Sequence, residues 1–307
     1  MNTTHIFLFG ALIILAAVSG CASSPDIKQS EGKYSDLYDK QARLVHEAGG
    51  RAEGTTEQAM ARGDELLNQG DADRALFEYI RAIEQDDSNV EAFYKIGTIH
   101  AARGNLPLAQ SAYQKALERS KNHAGALEGL GLVALQQRQY DKAREYLKQA
   151  IAHDPQRWQA HNGLGVIADL EKRYDEATVH YQQALQIKPG LPLLLNNLGY
   201  SNYLLGNWDV ARSYLEQALQ HDRQYARAWE NLGLVYARRG NYEAAKTAFM
   251  HALDEARTLN NLGYIAMLSG KYDQAENFLN QAIALSPGYY ALAYDNLKRC
   301  KAMRGRS

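Results

Sequence analysis

His46-Glu47 is where a zinc-protease helix would begin, with two histidines four residues apart gripping the metal and the glutamate acting as base. The place that needs the second histidine holds Gly50, so no metal is held there. His100, His123, His153, His161, His180, His221 and His251 are scattered and converge on no nucleophile or carboxylate. What recurs instead is amide chemistry at Asn196, Asn197, Asn231, Asn260 and Asn261. An amide carries both a donor and an acceptor, so it pairs with a peptide backbone whatever the neighbouring side chains are. Tyr200, Tyr203, Tyr264, Arg227, Arg238 and Arg257 lie among these asparagines, and aromatic and guanidinium groups are the types that protein-binding surfaces favour. The chemistry indicated is recognition. No enzyme activity, cofactor, metal or small-molecule substrate is expected.

The elements that position these side chains follow from a repeat. Gly63, Gly97, Gly131, Gly165, Gly199 and Gly233 are spaced by 34 residues, and Gly263 follows after 30. Alanine recurs twelve residues after each glycine (Ala75, Ala109, Ala143, Ala177, Ala211, Ala245, Ala275) and again seven further on (Ala82, Ala116, Ala150, Ala184, Ala218, Ala252, Ala282). A period of this size means stacked supersecondary units and not one closed core. Two antiparallel helices whose axes approach to roughly 8–10 Å need small residues where they cross. Turns such as Gly206-Asn207-Trp208-Asp209 separate the helices: glycine ends the first, and an acidic residue (Asp141, Asp175, Asp209, Glu243, Asp273) suits the start of the second. Pro155, Pro189 and Pro287 stop the second helix. The fold class is an all-α solenoid.

The pattern resembles the tetratricopeptide repeat (TPR), which repeat six carries as Trp229, Leu232, Gly233, Tyr236, Ala245, Phe249 and Ala252. The resemblance implies a right-handed superhelix of about seven helix-turn-helix repeats over 56–289, with 290–307 forming a capping helix and basic tail. It also implies that the asparagines, tyrosines and arginines named above line a partner-binding groove, although asparagine is also the common residue of this repeat at that position. The first-helix positions nine (Leu132, Val166, Tyr200, Leu234, Tyr264) and twelve (Leu135, Tyr203, Met267) form an apolar floor, part of which is expected to face a neighbouring helix.

The N-terminus differs in composition. Ile6 to Val18 is apolar apart from Gly10, too short for the roughly 20 residues a spanning helix needs, and it fits a secretory signal over 1–20. Val18-Ser19-Gly20-Cys21 resembles a bacterial lipobox, which implies lipidation of Cys21. Ala22 in place of a retaining aspartate implies delivery to the outer membrane, facing the periplasm. The n-region lacks the usual Lys or Arg. Residues 21–55, with Pro25, Gly32, Gly49, Gly50 and Gly54 and few large apolar side chains, read as a flexible tether with a short helix over Leu37–Ala48. Fully extended, it would reach about 110–120 Å.

A formal net charge of −1, from 34 basic and 35 acidic residues, gives no field to draw in nucleic acid. With Cys21 lipidated, Cys300 is a lone thiol that is either buried or free to link two chains. The tail cations, Arg299 among them, suit either a helix C-terminus or an acidic partner. In its C-terminal half the chain is similar to the TadD lipoproteins of tight-adherence (Flp) pilus assembly, through Leu194-Leu195-Asn196-Asn197-Leu198-Gly199-Tyr200, Leu259-Asn260-Asn261-Leu262-Gly263-Tyr264 and Ser286-Pro287-Gly288-Tyr289. That resemblance implies a pilotin-like factor whose protein partner is an outer-membrane secretin or another pilus component. A PilF/PilW-like pilotin of type IV pili and an NlpI-like envelope adaptor are the alternatives.

Overall fold

The computed structural model describes residues 54–285 and 290–305, together with Tyr34 and Leu37. The signal, Cys21, the helix expected over Leu37–Ala48, His46-Glu47 and Ser286-Pro287-Gly288-Tyr289 lie wholly or almost wholly outside the described residues. The described residues form fifteen helices and no strand: α1 (Thr56–Asn68), α2 (Ala72–Gln85), α3 (Val90–Ala102), α4 (Leu106–Arg119), α5 (Ala124–Gln136), α6 (Tyr140–His153), α7 (Trp158–Leu170), α8 (Tyr174–Ile187), α9 (Pro192–Leu205), α10 (Trp208–His221), α11 (Ala226–Arg238), α12 (Tyr242–Met250), α13 (Glu255–Leu268), α14 (Tyr272–Leu285) and α15 (Ala291–Arg304). The chain divides within α7 into two compact units, one ending at Ile167 and the other beginning at Ala168.

Odd-numbered helices carry the repeat glycines and even-numbered helices the alanines. Gly63, Gly97, Gly131, Gly199, Gly233 and Gly263 each lie where a large side chain sixteen residues on presses against the backbone. A Cβ at Gly233 would sit 2.6 Å from the Phe249 ring, and one at Gly263 would sit 2.6 Å from Leu279. The first row of alanines is fully buried throughout, and so is the second apart from Ala252. Ala252 is half-buried because α12 is only 9 residues long and ends at Met250, leaving Ala252 in the turn. The four-residue deletion in repeat six is thus taken from its second helix.

Local signals set the helix ends. Thr55 and Gln58 close a capping box at α1, and the side chains of Asn89 and Asp254 accept from the Ala92 and Arg257 N–H groups at α3 and α13. Between paired helices the chain passes through a left-handed residue, for which glycine carries no Cβ penalty. Gly206 and Gly270 supply it at φ 85° and 73°. In repeats three and four Arg138 and Lys172 take the same conformation at 60° and 62°, so the geometry persists where the glycine does not.

Within the stretch read as a tether, Tyr34 and Leu37 are buried in the N-terminal unit, 2 % and 0 % exposed. The Tyr34 ring meets Phe93 edge-on at 5.5 Å, and the Lys115 ammonium lies 5.6 Å from its centroid. The carbonyl of Leu37 faces His100 Nε2 at 2.8 Å, the ring nitrogen donating. The helix nearest the N-terminus that is most enclosed is α2, where every residue from Ala75 to Ile83 is buried. Leu76 and Ile80 make it apolar at positions where the second helices α6 and α10 carry Arg144 and Lys148, and Arg212 and Glu216.

Candidate functional site

The five asparagines sit on α9, α11 and α13 of the C-terminal unit. Asn196, Asn197 and Asn260 are buried, and Asn231 and Asn261 are half-buried. Their amides bond largely to one another. Asn231 Nδ2 donates to Asn196 Oδ1 at 2.8 Å, which ties α11 to α9, and Asn196 Nδ2 points at Asn197 Oδ1 at 3.4 Å. One repeat pair further on, Asn296 Nδ2 of α15 donates to Asn260 Oδ1 at 2.9 Å, and Asn260 Nδ2 points at Asn261 Oδ1 at 3.5 Å. The sequence reading did not place Asn296 in this row; its signal was an asparagine at the matching position of one more first helix. In the N-terminal unit a carboxylate does the same work. Glu128 accepts from the Ala160 N–H at 3.0 Å and pairs with Arg157 at 3.5 Å. Burial pushes its carboxyl up, and Arg157 pulls it back.

These amides therefore hold first helices in register. Replacing Asn196 by Ala removes a 2.8 Å bond and strands the Asn231 donor, which is expected to cost about 1–2 kcal/mol. Urea unfolding followed by tryptophan fluorescence checks it. A variant as stable as its parent would show that the amide pair contributes nothing to stacking.

The remaining side chains are more open. Tyr200 and Tyr203 stack at 6.0 Å and 22° on α9, and Arg238 Nε donates to the Tyr203 hydroxyl at 3.3 Å. Tyr200, Tyr203, Tyr264, Arg227 and Arg238 are half-buried. Burial pushes the Tyr200 hydroxyl up to about 12. Tyr264 is also raised, chiefly by burial, while Arg299 and Arg238 pull it back and Tyr203 pushes it further. Arg257 is exposed and pairs with Asp254 at the start of its own helix, 2.9 Å away. Glu230, beside Arg227 and Arg257, has its carboxyl raised by burial against the pull of both guanidinium groups. Of the apolar floor, Leu135, Val166 and Met267 are buried among neighbouring helices, whereas Leu132, Leu234 and the tyrosines remain partly open.

Sequence reasoning also missed a buried polar knot. Asp169 accepts from the Tyr181 hydroxyl and from Ser201 Oγ, both at 2.8 Å, and among the described residues no cation pairs with it. Desolvation pushes its carboxyl up to about 6, against the lowering by the two hydroxyl donors. An aspartate in the second half of α7 gives no sequence signal that it faces inward. Cys300 is fully buried in the core of the last helices, its Sγ 3.7 Å from the Tyr272 carbonyl, and burial raises its thiol. Among the described residues no group of histidine, cysteine and acidic side chains could hold a metal, and no helix is long and apolar enough to cross a membrane.

Models of the tetratricopeptide repeat match residues 88–156 and 191–254, residues 128–192, and residues 256–289. The chain belongs to the tetratricopeptide-repeat family. No curated protein matches it in sequence. Among solved structures, a TPR protein from Parabacteroides merdae is 16 % identical, with 80 % of this chain and 98 % of that one covered and a TM-score of 0.53. Pseudomonas aeruginosa PilF is 24 % identical, with 71 % and 98 % covered and a TM-score of 0.54. Cut9, from the Cut9–Hcn1 hetero-tetramer of the APC/C, is 18 % identical, with 84 % and 48 % covered and a TM-score of 0.57. At such identities the likeness is one of fold. The TPR fold is suited to a protein–protein interaction scaffold, with stacked first helices presenting successive side chains along one face.

Proposed function

We propose that this TPR chain is a lipid-anchored scaffold at the periplasmic side of a bacterial outer membrane, acting in a pilotin-like role in assembly of the Flp/Tad pilus secretion system. One observation carries the recognition part: half-buried tyrosines and arginines recur on the first helices α9, α11 and α13, held in register by amide pairs. The anchoring part rests on Val18-Ser19-Gly20-Cys21, and the pilus part on the TadD-like sequences around Asn196-Asn197 and Asn260-Asn261. Several acyl chains, at about 0.8 kcal/mol per buried methylene, make attachment durable where one chain does not. The bound protein is then an outer-membrane secretin or a neighbouring pilus component.

Cys21→Ser tests the anchor. The variant is expected to leave the membrane fraction or to accumulate as an unprocessed precursor, and normal fractionation would remove the lipid from the reading. For the assembly role, a deletion strain should lose surface pili and heat-stable secretin multimers. Retention of both would sink the pilus reading and leave a general envelope adaptor.

A further inference from the structure

Most arginines of the C-terminal unit that lie on helix surfaces are paired with carboxylates. Arg173 meets Glu171 and Glu176, Arg212 and Arg239 meet Asp209, Arg257 meets Asp254, and Arg304 meets Asp273 and Glu276. Arg238 and Arg299 differ. Among the described residues neither has a carboxylate within ion-pairing distance. Arg238 donates one N–H to the Tyr203 hydroxyl at 3.3 Å, and among the described residues its other donors have no side-chain acceptor. Arg299 is exposed on α15. The two belong to one neighbourhood: the 2.9 Å bond from Asn296 to Asn260 sets α15 beside α13, Arg299 and Tyr264 follow these asparagines by about one helical turn, and both guanidinium groups act on the Tyr264 hydroxyl. Beside them the Tyr200 and Tyr203 rings stack at 6.0 Å, half-open to solvent.

We propose that Tyr200, Tyr203, Arg238, Tyr264 and Arg299 form the docking face for an acidic, aromatic-bearing segment of a partner protein. The inference rests on the scaffold reading above and specifies the chemistry of what the scaffold holds. Charge complementarity carries it: two guanidinium groups without counter-ions present a fork of donors that fits carboxylates bidentately. The stacked tyrosines supply a flat surface against which an aromatic side chain packs at low conformational cost. A basic segment would be rejected, because it would bring like charge onto Arg238 and Arg299. Of the two roles open to Arg299 as a tail cation, a helix C-terminus or an acidic partner, this assigns it the second, beside Arg238.

The test uses the full-length chain in neutral detergent and a short labelled peptide of glutamate, aspartate and phenylalanine, followed by fluorescence anisotropy. Its counterpart carries lysine at every acidic position. The acidic peptide is expected to bind, to weaken as salt is raised, and to bind at least about tenfold more weakly to Arg238→Gln with Arg299→Gln. Arg304→Gln, which removes an arginine already paired, is expected to leave binding unchanged, and circular dichroism should show the same helix content in all. Equal binding of the lysine peptide, indifference to the double variant, or no binding of the acidic peptide would each overturn the proposal. Vesicles of phosphatidylglycerol that bind with the same arginine dependence while the peptide does not would overturn it in favour of a membrane surface. In cells, secretin multimers that form normally with the double variant but fail in the deletion strain would sink the acidic docking face and leave the scaffold standing.

Discussion

Leu37→Ala is expected to destabilise the N-terminal unit by about 2–5 kcal/mol, the range for removing a fully buried leucine side chain and leaving its cavity. Tyr34→Ala should cost a similar amount, roughly 3–5 kcal/mol by analogy with other buried aromatics, because it removes both the edge-on contact with Phe93 and the ring beneath Lys115. Both residues lie before the first repeat, where a repeat-only description predicts no effect at all. Hydrogen exchange of the full chain reads the result locally: protection in α2, α3 and α4 should fall, while α11 to α15 stay as they were. Unchanged protection in α2 to α4 would show that the contacts of Tyr34 and Leu37 contribute nothing in solution.

The second large effect depends on pH. The Asp169 carboxyl is pushed up to about 6 from the ordinary 3.8. Between those values the folded chain holds a proton that the unfolded chain has released. The contribution of Asp169 to stability is therefore greatest below about pH 4 and falls as the pH rises through 6, the full loss of about 3 kcal/mol being present at neutral pH. The hydroxyls of Tyr181 and Ser201 keep the loss from being larger, since each donates to the charged form. Asp169→Asn cannot titrate and still offers one oxygen to these donors. Urea midpoints of parent and variant should converge near pH 4 and separate by pH 7.5, with the variant the more stable. Parallel pH profiles for the two proteins would refute this account of Asp169.

Much of the fold was written in small residues. A glycine every 34 positions marks a backbone that another side chain touches, and Gly233 against Phe249 shows why nothing larger fits. The alanine rows were equally legible, and so was the shortened sixth repeat, though not which helix lost the residues. Three things were not legible, each for a physical reason. Arg138 and Lys172 occupy left-handed turns that glycine marks elsewhere, because neighbouring helix pairs impose the conformation whatever residue is present. Tyr34 and Leu37 are two apolar residues in a polar stretch and give no periodicity. Their complement lies in Leu76 and Ile80, an apolar excess at positions of a first-repeat helix that are polar in α6 and α10. The asparagines were placed correctly on successive first helices, but a sequence position cannot distinguish an amide that faces a partner from one that faces the next repeat. That distinction came only with the 2.8 Å between Asn231 and Asn196.

The burial of Tyr34 has a consequence for encounter rates. With Cys21 lipidated as proposed, the length of chain from Cys21 to the buried Tyr34 spans at most about 45 Å even when fully extended. A leash that short converts a partner in the same membrane from a solute met by three-dimensional diffusion into a neighbour at an effective concentration on the order of millimolar. A docking face with only modest intrinsic affinity would then stay occupied, and it would let go as soon as either party left the bilayer.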